Sequence, residues 1–489
     1  MSTDREVELK FLCAPEHLGA VLAAAPAGDD ESRELISVYF DTPDKRLEKV
    51  GASLRVRESK GLRVQTLKRG EGLSREEFEA AIPGDLPDPA LGPLKSLLSE
   101  GDQLRPAFNV RVTRRQRLIR LDGSEIELAL DQGEVSGGRR SSPISEVELE
   151  LKSGSPRALF DLARILSRAA PLYISFDGKA SRGQALVADA PLQTRRLQPV
   201  HLTRHSTVAE AFQANARNAM GQIAANAVVL REAPDAEAVH QLRVAARRLR
   251  SALSTFRSVL ADEGFETVKA ELKWLAGATD RARNLDVFAE EVAASGGRLD
   301  PPLPGLPALV KAVDAAARAA RADVAQAVSS ERFRALMLET AAWIETGSWL
   351  TASSKAGASA RTFARKALVR RREKLAERGR ALAGADDAAR HELRIEGKKL
   401  RYAAEGFRSL LPARRAERFL ARLKDLQEEL GALNDMATAA DLVASLTLSQ
   451  PAAFAAGELA GLRAAGRPRR IDRAARAYDR LLKAPAPLD

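Results

Sequence analysis

Two short segments carry acidic residues in a pattern that could bind a metal ion. Glu6–Phe11 alternates charged and apolar residues, and Ile144–Leu151 does the same at Glu146, Glu148 and Glu150. Such alternation predicts β-strands whose charged side chains share one face. Carboxylates about 6.6 Å apart along a strand repel one another unless cations lie between them. A site for Mg²⁺ or Mn²⁺ is one interpretation, and an ordinary solvated strand face is the other.

Basic residues at similar spacing accompany these acids. They are Arg55 and Arg57, Lys68 in phase with Thr66, Arg75 ahead of Glu77, Arg114, and Lys179. A closed sheet with carboxylates and fixed cations inside could be filled with apolar groups only at high cost. It suits a metal-bound chain of phosphates, because guanidinium and ammonium groups bind phosphate oxygens while carboxylates hold the metal.

These residues belong to an ordered set of motifs that resembles the CYTH domains, the triphosphate tunnel metalloenzymes. The motifs are Glu6-Val-Glu8-Leu-Lys10, Tyr39-Phe-Asp-Thr, Leu54-Arg-Val-Arg57, Thr66-Leu-Lys68, Arg75-Glu-Glu77, Asp122-Gly-Ser with Leu130-Asp131, Glu146-Val-Glu-Leu-Glu150 and Lys179-Ala-Ser-Arg-Gly183. The resemblance covers most of residues 5–187. It implies a fold, an eight-stranded antiparallel β tunnel with flanking helices. It also implies an activity, the hydrolysis of triphosphates with Mg²⁺ or Mn²⁺ as cofactor.

The resemblance also implies roles for the matched residues. The implied catalytic residues are Glu6, Glu8, Lys10, Glu148 and Glu150. The implied metal ligands are Glu6, Glu8, Asp131, Glu148 and Glu150. The implied substrate-binding residues are Lys10, Arg55, Arg57, Lys68, Arg75, Arg114, Lys179 and Arg182. Arg114 adjoins Arg115, and only one of the two can face inward.

The composition indicates a multidomain protein without a membrane span. The chain has 489 residues, of which 45% are hydrophobic and 29% charged, and this length allows about two to four domains. No apolar run approaches the ~18 residues of a membrane helix, and no signal region follows Met1, so we expect a cytoplasmic protein. Cys13 is the only cysteine, which excludes an internal disulfide and a cysteine-based metal site within one chain.

Charge and periodicity divide the chain. Residues 1–200 hold 30 Lys and Arg against 31 Asp and Glu, whereas the remainder holds 47 against 35. This asymmetry indicates a basic second domain that either binds a polyanion or presents a solvated helical surface. We predict a multidomain α+β protein with a tunnel domain at 1–190, a linker at 191–205, and an all-α domain at 206–485. Thr207 and Glu210 predict the capping box that opens its first helix.

An internal repeat suggests that the all-α domain consists of tandem helical bundles, at about 206–300 and 330–485. His240–Leu260 and His391–Leu411 are identical at ten of 21 positions. On a helix, the basic residues of each copy share one face and the apolar residues another. The two basic stripes are His240, Arg243, Arg247 and Arg250, and His391, Arg394, Lys398 and Arg401. A solvated face could explain one such stripe; two copies favour a binding surface.

The motif HxxRxxx[RK][RK]LR in both copies resembles the CHAD domain, over roughly residues 206–480. The resemblance implies that these eight basic residues bind inorganic polyphosphate. A flexible polyanion needs a track of cations, which the stripes supply. Nucleic acid is a rival ligand, but this half has few aromatic residues for base stacking.

The pairing of the two domains resembles bacterial inorganic triphosphatases. We therefore expect hydrolysis of inorganic triphosphate to pyrophosphate and phosphate, with water as the nucleophile. We also expect polyphosphate binding, association with polyphosphate granules, and no membrane partner. Two alternatives stay open. The protein could bind polyphosphate without catalysis, or the tunnel could act on thiamine triphosphate or a nucleoside triphosphate, including by ATP cyclisation.

Overall fold

The contacts of the chain divide it into two compact units. The computed structural model describes residues 4–59, 61–70, 74–190, 193–296 and 303–485, with the backbone alone at 4–6, 74–75 and 296. The first unit holds Met1–Arg195 and Ser329–Thr346, and the second holds Arg196–Val328 and Gly347–Asp489. The first is built around an antiparallel sheet and the second is all-helical, which confirms the predicted multidomain α+β class. The exact domain boundaries stay a prediction.

Among the described residues, nine strands form one sheet in the first unit. They are β1 (Asp4–Leu12), β2 (Asp30–Asp41), β3 (Ala52–Ser59), β4 (Leu62–Arg69), β5 (Ser74–Ala81), β6 (Arg105–Leu121), β7 (Ser124–Gly137), β8 (Arg140–Ser153) and β9 (Tyr173–Ser175). The order is β5-β4-β3-β2-β6-β7-β8-β1-β9, and β1 also pairs with β5. Strands β1–β8 therefore close into the predicted eight-stranded tunnel, with β9 as an additional short strand on β1.

The first unit also contains short flanking helices. They are α1 (Leu18–Ala24), α2 (Arg46–Lys49), α3 (Leu94–Leu97), α4 (Pro156–Ala169) and α5 (Lys179–Val187). Apolar residues of β1 and β8, such as Leu9 and Val147, are fully buried, and α4 packs against these two strands. Because side chains alternate along a strand, the charged residues between these apolar ones face the interior of the barrel.

Helix α5 packs against β6, β7 and β8. An apolar cluster joins Leu186 of this helix to inward residues of the strands, including Phe108 and Val135. Gly183 lies so close to Phe108 that an added Cβ would come within 2.1 Å of the ring. A glycine is therefore required for this approach. The packing fixes Lys179, the first residue of α5, beside the charged interior of the barrel.

Eleven further helices follow in the described part of the chain. They are α6 (Val208–Glu232), α7 (Ala236–Leu260), α8 (Phe265–Ala278), α9 (Asp280–Gly296), α10 (Leu306–Ser329), α11 (Glu331–Thr346), α12 (Trp349–Ala352), α13 (Ala360–Gly379), α14 (Asp387–Gly406), α15 (Ala413–Ala444) and α16 (Gln450–Leu482). The predicted capping box is present, because Glu210 N donates to Thr207 Oγ1 at 3.2 Å and Thr207 N donates to Glu210 Oε2 at 2.8 Å. No helix among the described residues combines the length and apolarity needed to cross a bilayer.

Helix α11 belongs to the first unit although it follows α10 in the chain. It packs against α4 and β9. Arg164 of α4 donates from Nε and Nη2 to the two carboxylate oxygens of Glu339, at 2.8 and 2.7 Å. Tyr173 of β9 donates from its hydroxyl to the carbonyl of Ser329 at 3.0 Å. These contacts hold a helix from late in the sequence against the barrel unit.

Candidate active site and basic helical surface

The pairing of β1 with β8 brings acidic and basic side chains together inside the barrel. Glu8 lies opposite Glu150, and Lys10 lies opposite Glu148. Lys10 Nζ is 2.6 Å from Glu148 Oε1 and 3.0 Å from Glu8 Oε2. Burial disfavours the charged form of Lys10, but the two carboxylates outweigh it and raise its pKa above the ordinary value. Lys10 therefore stays positively charged on the inner wall that β1 and β8 form, which we call the acidic wall.

A second group of carboxylates surrounds Lys179. Lys179 Nζ lies 2.6 Å from Asp131 Oδ2 and 3.0 Å from Glu148 Oε1, and it also donates to Glu146. One oxygen of each of these three buried acids lies within 4.8 Å of the others. Arg114 donates to both oxygens of Asp131, at 2.7 and 2.6 Å, and contacts Glu148. Such bidentate bonds fix the orientation of both partners.

The acids of this cluster have pKa values that move in opposite directions. Burial opposes ionisation of Glu148, yet Lys10, Lys179 and Arg114 together hold its pKa well below the usual range. Burial raises the pKa of Glu146, and the nearby Glu148 adds to this effect while Lys179 offsets part of it. Neighbouring carboxyls whose pKa values are pushed apart are typical of sites that perform acid–base chemistry.

The opposite wall of the barrel, on β3 and β4, is cationic. Lys68 Nζ is 3.2 Å from Glu77 Oε1, while Arg55 Nη2 reaches that oxygen only at 3.9 Å. The Nε of Arg55 is buried, and no hydrogen-bond partner for it lies among the side chains that the structure describes. Burial and the neighbouring Arg55 and Arg114 lower the pKa of Arg57 to about 10, and Arg57 Nε reaches Ser37 Oγ at 3.4 Å. This wall therefore has donors and positive charge available for an anion.

Nine of the predicted site residues form two groups in the structure. Glu8, Lys10, Arg114, Asp131, Glu148 and Lys179 form one network, and Arg55, Arg57 and Lys68 form the cationic wall. Arg114 is buried and Arg115 exposed, so Arg114 is the inward residue. The side chains of Glu6 and Arg75 lie outside the described residues, although their backbones pair between β1 and β5.

Two predicted residues lie toward the margins of this network. Glu150 Oε1 is 2.7 Å from Lys152 Nζ. Arg182 donates from Nη2 to the carbonyl of Pro143 at 2.8 Å, and its Nη1 is 3.6 Å from Glu146 Oε2. In these interactions, neither Glu150 nor Arg182 contacts Lys10, which lies within the charged network. The substrate and metal roles of all these residues stay predictions.

Sequence reasoning assigned no role to Glu146, Glu77 or Tyr39. For Glu146 a signal exists, since it lies two residues before Glu148 on the same strand face. Tyr39 stacks on Phe108 with ring centroids 4.6 Å apart. Burial opposes ionisation of Tyr39, but Arg55, Arg57 and Lys179 together outweigh it and lower the pKa of the phenol. Its position beside the cationic wall depends on how β2 and β3 pair, which the motif alone does not reveal.

The donor set of the acidic wall fits a hard divalent cation. Glu8 and Glu150 are directly paired between β1 and β8, and Glu148 is two residues from Glu150 on the same face. All three supply carboxylate oxygens, the ligands that Mg²⁺ and Mn²⁺ prefer. Both oxygens of Asp131 accept hydrogen bonds from Arg114. Both oxygens of Glu148 also accept hydrogen bonds, from Lys10, Lys179 and Arg114. Asp131, Glu146 and Glu148 are the acids whose oxygens lie closest together, whereas Glu8, Glu148 and Glu150 share the face of the β1–β8 pair. The metal role of each of these residues stays a prediction.

In the second unit, α7 and α14 bring the two basic stripes together. We call Arg243, Arg247, Arg394 and Lys398 the central basic cluster. Burial lowers the pKa of Arg243 to about 9, and Arg247 and Arg394 add to the shift. Burial lowers the pKa of Lys398 to about 6, with contributions from Arg394, Arg247 and Arg243. Like charges are thus held close together, an arrangement that favours binding of an anion.

The other predicted residues of the stripes have different surroundings. His240 is half-buried, and burial together with Arg283 lowers its pKa. His391 is exposed, with Nδ1 2.6 Å from Asn434 Oδ1. Arg401 Nε donates to Glu405 at 2.7 Å. Arg250 adjoins Arg247 on α7, and burial lowers its pKa. The structure therefore unites four of the eight predicted residues in the cluster and leaves Arg401 paired with an acid.

Family models match both parts of the chain. Residues 4–183 match the CYTH domain and residues 214–444 match the CHAD domain. The inorganic triphosphatase of Haemophilus influenzae is 34% identical over 195 residues, which are 37% of this chain and 55% of that protein. This chain thus spans about half the length of that relative. The crystal structure of the CHAD domain from the plant Ricinus communis has 32% identity and a TM-score of 0.53, and the match covers 60% of this chain and 98% of that domain.

Proposed function

Because the chain belongs to the CYTH and CHAD domain families, we propose that its barrel hydrolyses inorganic triphosphate with a divalent metal ion and that its helices bind inorganic polyphosphate. The observation that carries the first proposal is the pair of opposed walls inside the barrel. Carboxylates of β1 and β8 face one side, and Arg55, Arg57 and Lys68 face the other. A metal-bound triphosphate would satisfy both walls, since it combines cationic and anionic charge.

The residues of the barrel have distinct tasks in this reaction. Glu8, Glu148 and Glu150 would hold Mg²⁺ or Mn²⁺, which supplies Lewis-acid polarisation of the phosphoryl group. The buried Nε of Arg55, which has no partner among the described side chains, donates to a phosphate oxygen. Arg57 and Lys68 stabilise the charge that develops on the leaving pyrophosphate. Water attacks the terminal phosphorus, the bond to the bridging oxygen breaks, and the proton passes to a carboxylate of the acidic wall.

We expect the intact protein to release phosphate and pyrophosphate in equal amounts from inorganic triphosphate when Mg²⁺ or Mn²⁺ is present. EDTA should stop the release, and excess metal should restore it, because the carboxylates alone leave the phosphate charge unbalanced. Both products can be measured enzymatically, with circular dichroism as the check that EDTA leaves the fold intact. A protein that only binds polyphosphate would release neither product.

Parallel assays with thiamine triphosphate and ATP compare the substrates that the motifs leave open. We expect inorganic triphosphate to give the highest kcat/KM, because the charged side chains of the described site match phosphate groups. A higher value for either organic substrate would change the assignment of substrate while keeping the hydrolase. Formation of cyclic AMP from ATP would indicate cyclisation instead.

The central basic cluster supports the second proposal. Its four cations lie on two helices, and burial lowers the pKa of each. Neighbouring cations lower the pKa values of Arg243, Arg247 and Lys398 further. A polyanion would relieve this repulsion by placing negative charge among them. Polyphosphate suits the cluster because every repeating unit carries charge and no base or sugar needs recognition.

Polyphosphate affinity should increase as the pH falls from about 8 to 6. In the protein without polyphosphate, the pKa of Lys398 is about 6. A bound polyanion stabilises the charged form of Lys398 and raises that pKa. Binding therefore takes up a proton above pH 6, and affinity is lost as pH rises through this window, by at most about tenfold per unit. Titration calorimetry at constant ionic strength measures both affinity and proton uptake.

Lys398→Arg is the matched control for this effect, because arginine keeps its charge over the whole range. We expect its affinity to vary less with pH than that of the unsubstituted protein. The other titrating groups, including His240 and the terminal phosphates of the ligand, are unchanged in this variant. Equal pH dependence in the two proteins would show that Lys398 is not the responsible group.

A further inference from the structure

The second unit contains a cavity of about 640 Å³. Its walls come from α6, α7, α14 and α15, and one side is formed by residues 197–201, which we call the roof segment. The buried aromatic rings of Phe256 and Phe407 and the side chain of Leu420 supply much of the apolar lining. Cavities of this size and character commonly hold small organic ligands.

The roof segment is anchored on both sides of the cavity. Asn218 of α6 donates from Nδ2 to the carbonyl of Gln198 at 2.6 Å. Leu202, just beyond the segment, is buried and donates from its backbone N to Ser409 Oγ at 2.8 Å. These hydrogen bonds hold the roof segment in place, so a ligand would find this side of the cavity already formed.

One wall of the cavity carries excess positive charge. Arg248 Nη2 is 2.8 Å from Glu405 Oε2, and its guanidinium lies over the ring of Tyr402, 5.2 Å from the centroid. Arg401 Nε is 2.7 Å from the other oxygen of Glu405. Two guanidinium groups therefore share one carboxylate, and Lys424 adds a further cation to the lining.

Three buried polar atoms of the lining lack a hydrogen-bond partner among the described residues. One is the acceptor Glu405 Oε2, which lies in the ion pair with Arg248, and the other two are donors. The Nε of Arg248 and the hydroxyl of Ser251 are both buried and unpartnered, and Ser251 is only 4% exposed. The residues are three apart on α7 and therefore lie on the same side of the helix. Buried donors without partners are rare in folded proteins and often mark the position of a ligand. Here they would donate to an oxygen of an anionic group.

We propose that this cavity binds a small organic anion, in which a carboxylate or phosphate ester is carried on an apolar body. The anionic group would lie against Arg248 and Ser251, and the body would fill the space between Phe256, Phe407 and Leu420. Inorganic polyphosphate lacks such a body and would leave the apolar walls unfilled. The proposed site is distinct from the central basic cluster, because none of the four residues of that cluster lines the cavity. Of the second basic stripe, Arg401 does line it, and the competition with polyphosphate described below tests whether the two sites are separate.

The test uses the intact protein and the fluorescent probe 8-anilinonaphthalene-1-sulfonate, which combines an anionic group with an aromatic body. We expect one saturable probe site per chain. Arg248→Met should weaken probe binding about tenfold or more, because a charged hydrogen bond is lost. Ala252→Leu should have a similar effect by occupying the cavity, and it keeps every charge. Arg257→Met is the matched control, since Arg257 lies on α7 but outside the lining and is exposed.

Competition then distinguishes the two kinds of anion. Displacement of the probe by 1-naphthoate or by 1-naphthyl phosphate would identify the carboxylate or the phosphate ester as the preferred group. The proposal is overturned if Arg248→Met and Ala252→Leu both bind the probe as the unsubstituted protein does. It is equally overturned if polyphosphate displaces the probe from Arg257→Met, because the cavity would then belong to the polyphosphate surface. Ser251→Ala, which removes only one oxygen, gives a milder loss if the larger changes disturb folding.

Discussion

Replacement of Glu148 with glutamine is expected to lower phosphate release from inorganic triphosphate by at least about a hundredfold, as for loss of one major electrostatic group of an active site. Glu148 is the carboxylate that Lys10, Lys179 and Arg114 all contact. Glutamine keeps the shape of the side chain but removes the charge that the metal requires. Steady-state assays with saturating Mg²⁺ or Mn²⁺ measure the effect, and Glu8→Gln should behave in the same way.

The control for this prediction is Glu34→Gln. Glu34 lies on β2 of the same barrel but is exposed, with Oε1 3.8 Å from Arg111 Nε. Because an exposed ion pair contributes little, the Glu34→Gln variant should keep its phosphate release within about twofold of the unsubstituted protein. Thermal unfolding of all variants separates loss of activity from loss of fold. If both Glu148→Gln and Glu8→Gln retained turnover, the metal role proposed for these residues would be abandoned.

Removal of two cations from the central basic cluster should have the second-largest effect, on polyphosphate binding. We expect the double variant Arg247→Gln, Arg394→Gln to bind polyphosphate about 10- to 100-fold more weakly near 0.1 M salt. The slope of log affinity against log salt should also decrease by about 1.4, as expected for a flexible polyanion that loses two cationic contacts. Binding isotherms at several salt concentrations measure both quantities.

Exposed arginines of the same unit supply the comparison. Arg257 and Arg361 are both exposed, on α7 and α13, and the variant Arg257→Gln, Arg361→Gln removes the same net charge. A general attraction between basic protein and polyanion would weaken equally in the two double variants. A specific site predicts a much larger loss for the variant in the cluster.

The strands and the polar face of the barrel could be predicted because alternation is a local property. Glu8 and Lys10 share a face by spacing alone, as do Glu148 and Glu150. The contact of Lys179 with Asp131 could not be derived from spacing, since it depends on how α5 packs and how β7 pairs with β8. For the same reason the participation of Glu146 was missed, although its strand face was evident.

The basic stripes of the second unit show a similar limit. Helical periodicity places Arg243 and Arg247 on one face, and Arg394 and Lys398 on another helix follow the same rule. Periodicity does not reveal that α7 and α14 lie side by side. That packing, and not either helix alone, lowers the pKa of Lys398 to about 6. It also pairs Arg248 of α7 with Glu405 of α14, which the repeat does not anticipate.

The assignment of α11 to the first unit has a consequence for synthesis on the ribosome. The barrel strands and α4 are complete by residue 195, but the helix that packs on α4 and β9 ends at Thr346. At about 5–20 residues per second, translation of the intervening chain takes on the order of ten seconds. During that interval the surface of α4 and β9 is uncovered, because Glu339, which binds Arg164, has not yet been synthesised or has not yet folded against it. A chaperone that binds nascent chains would therefore find its substrate in this protein before residue 346 has emerged.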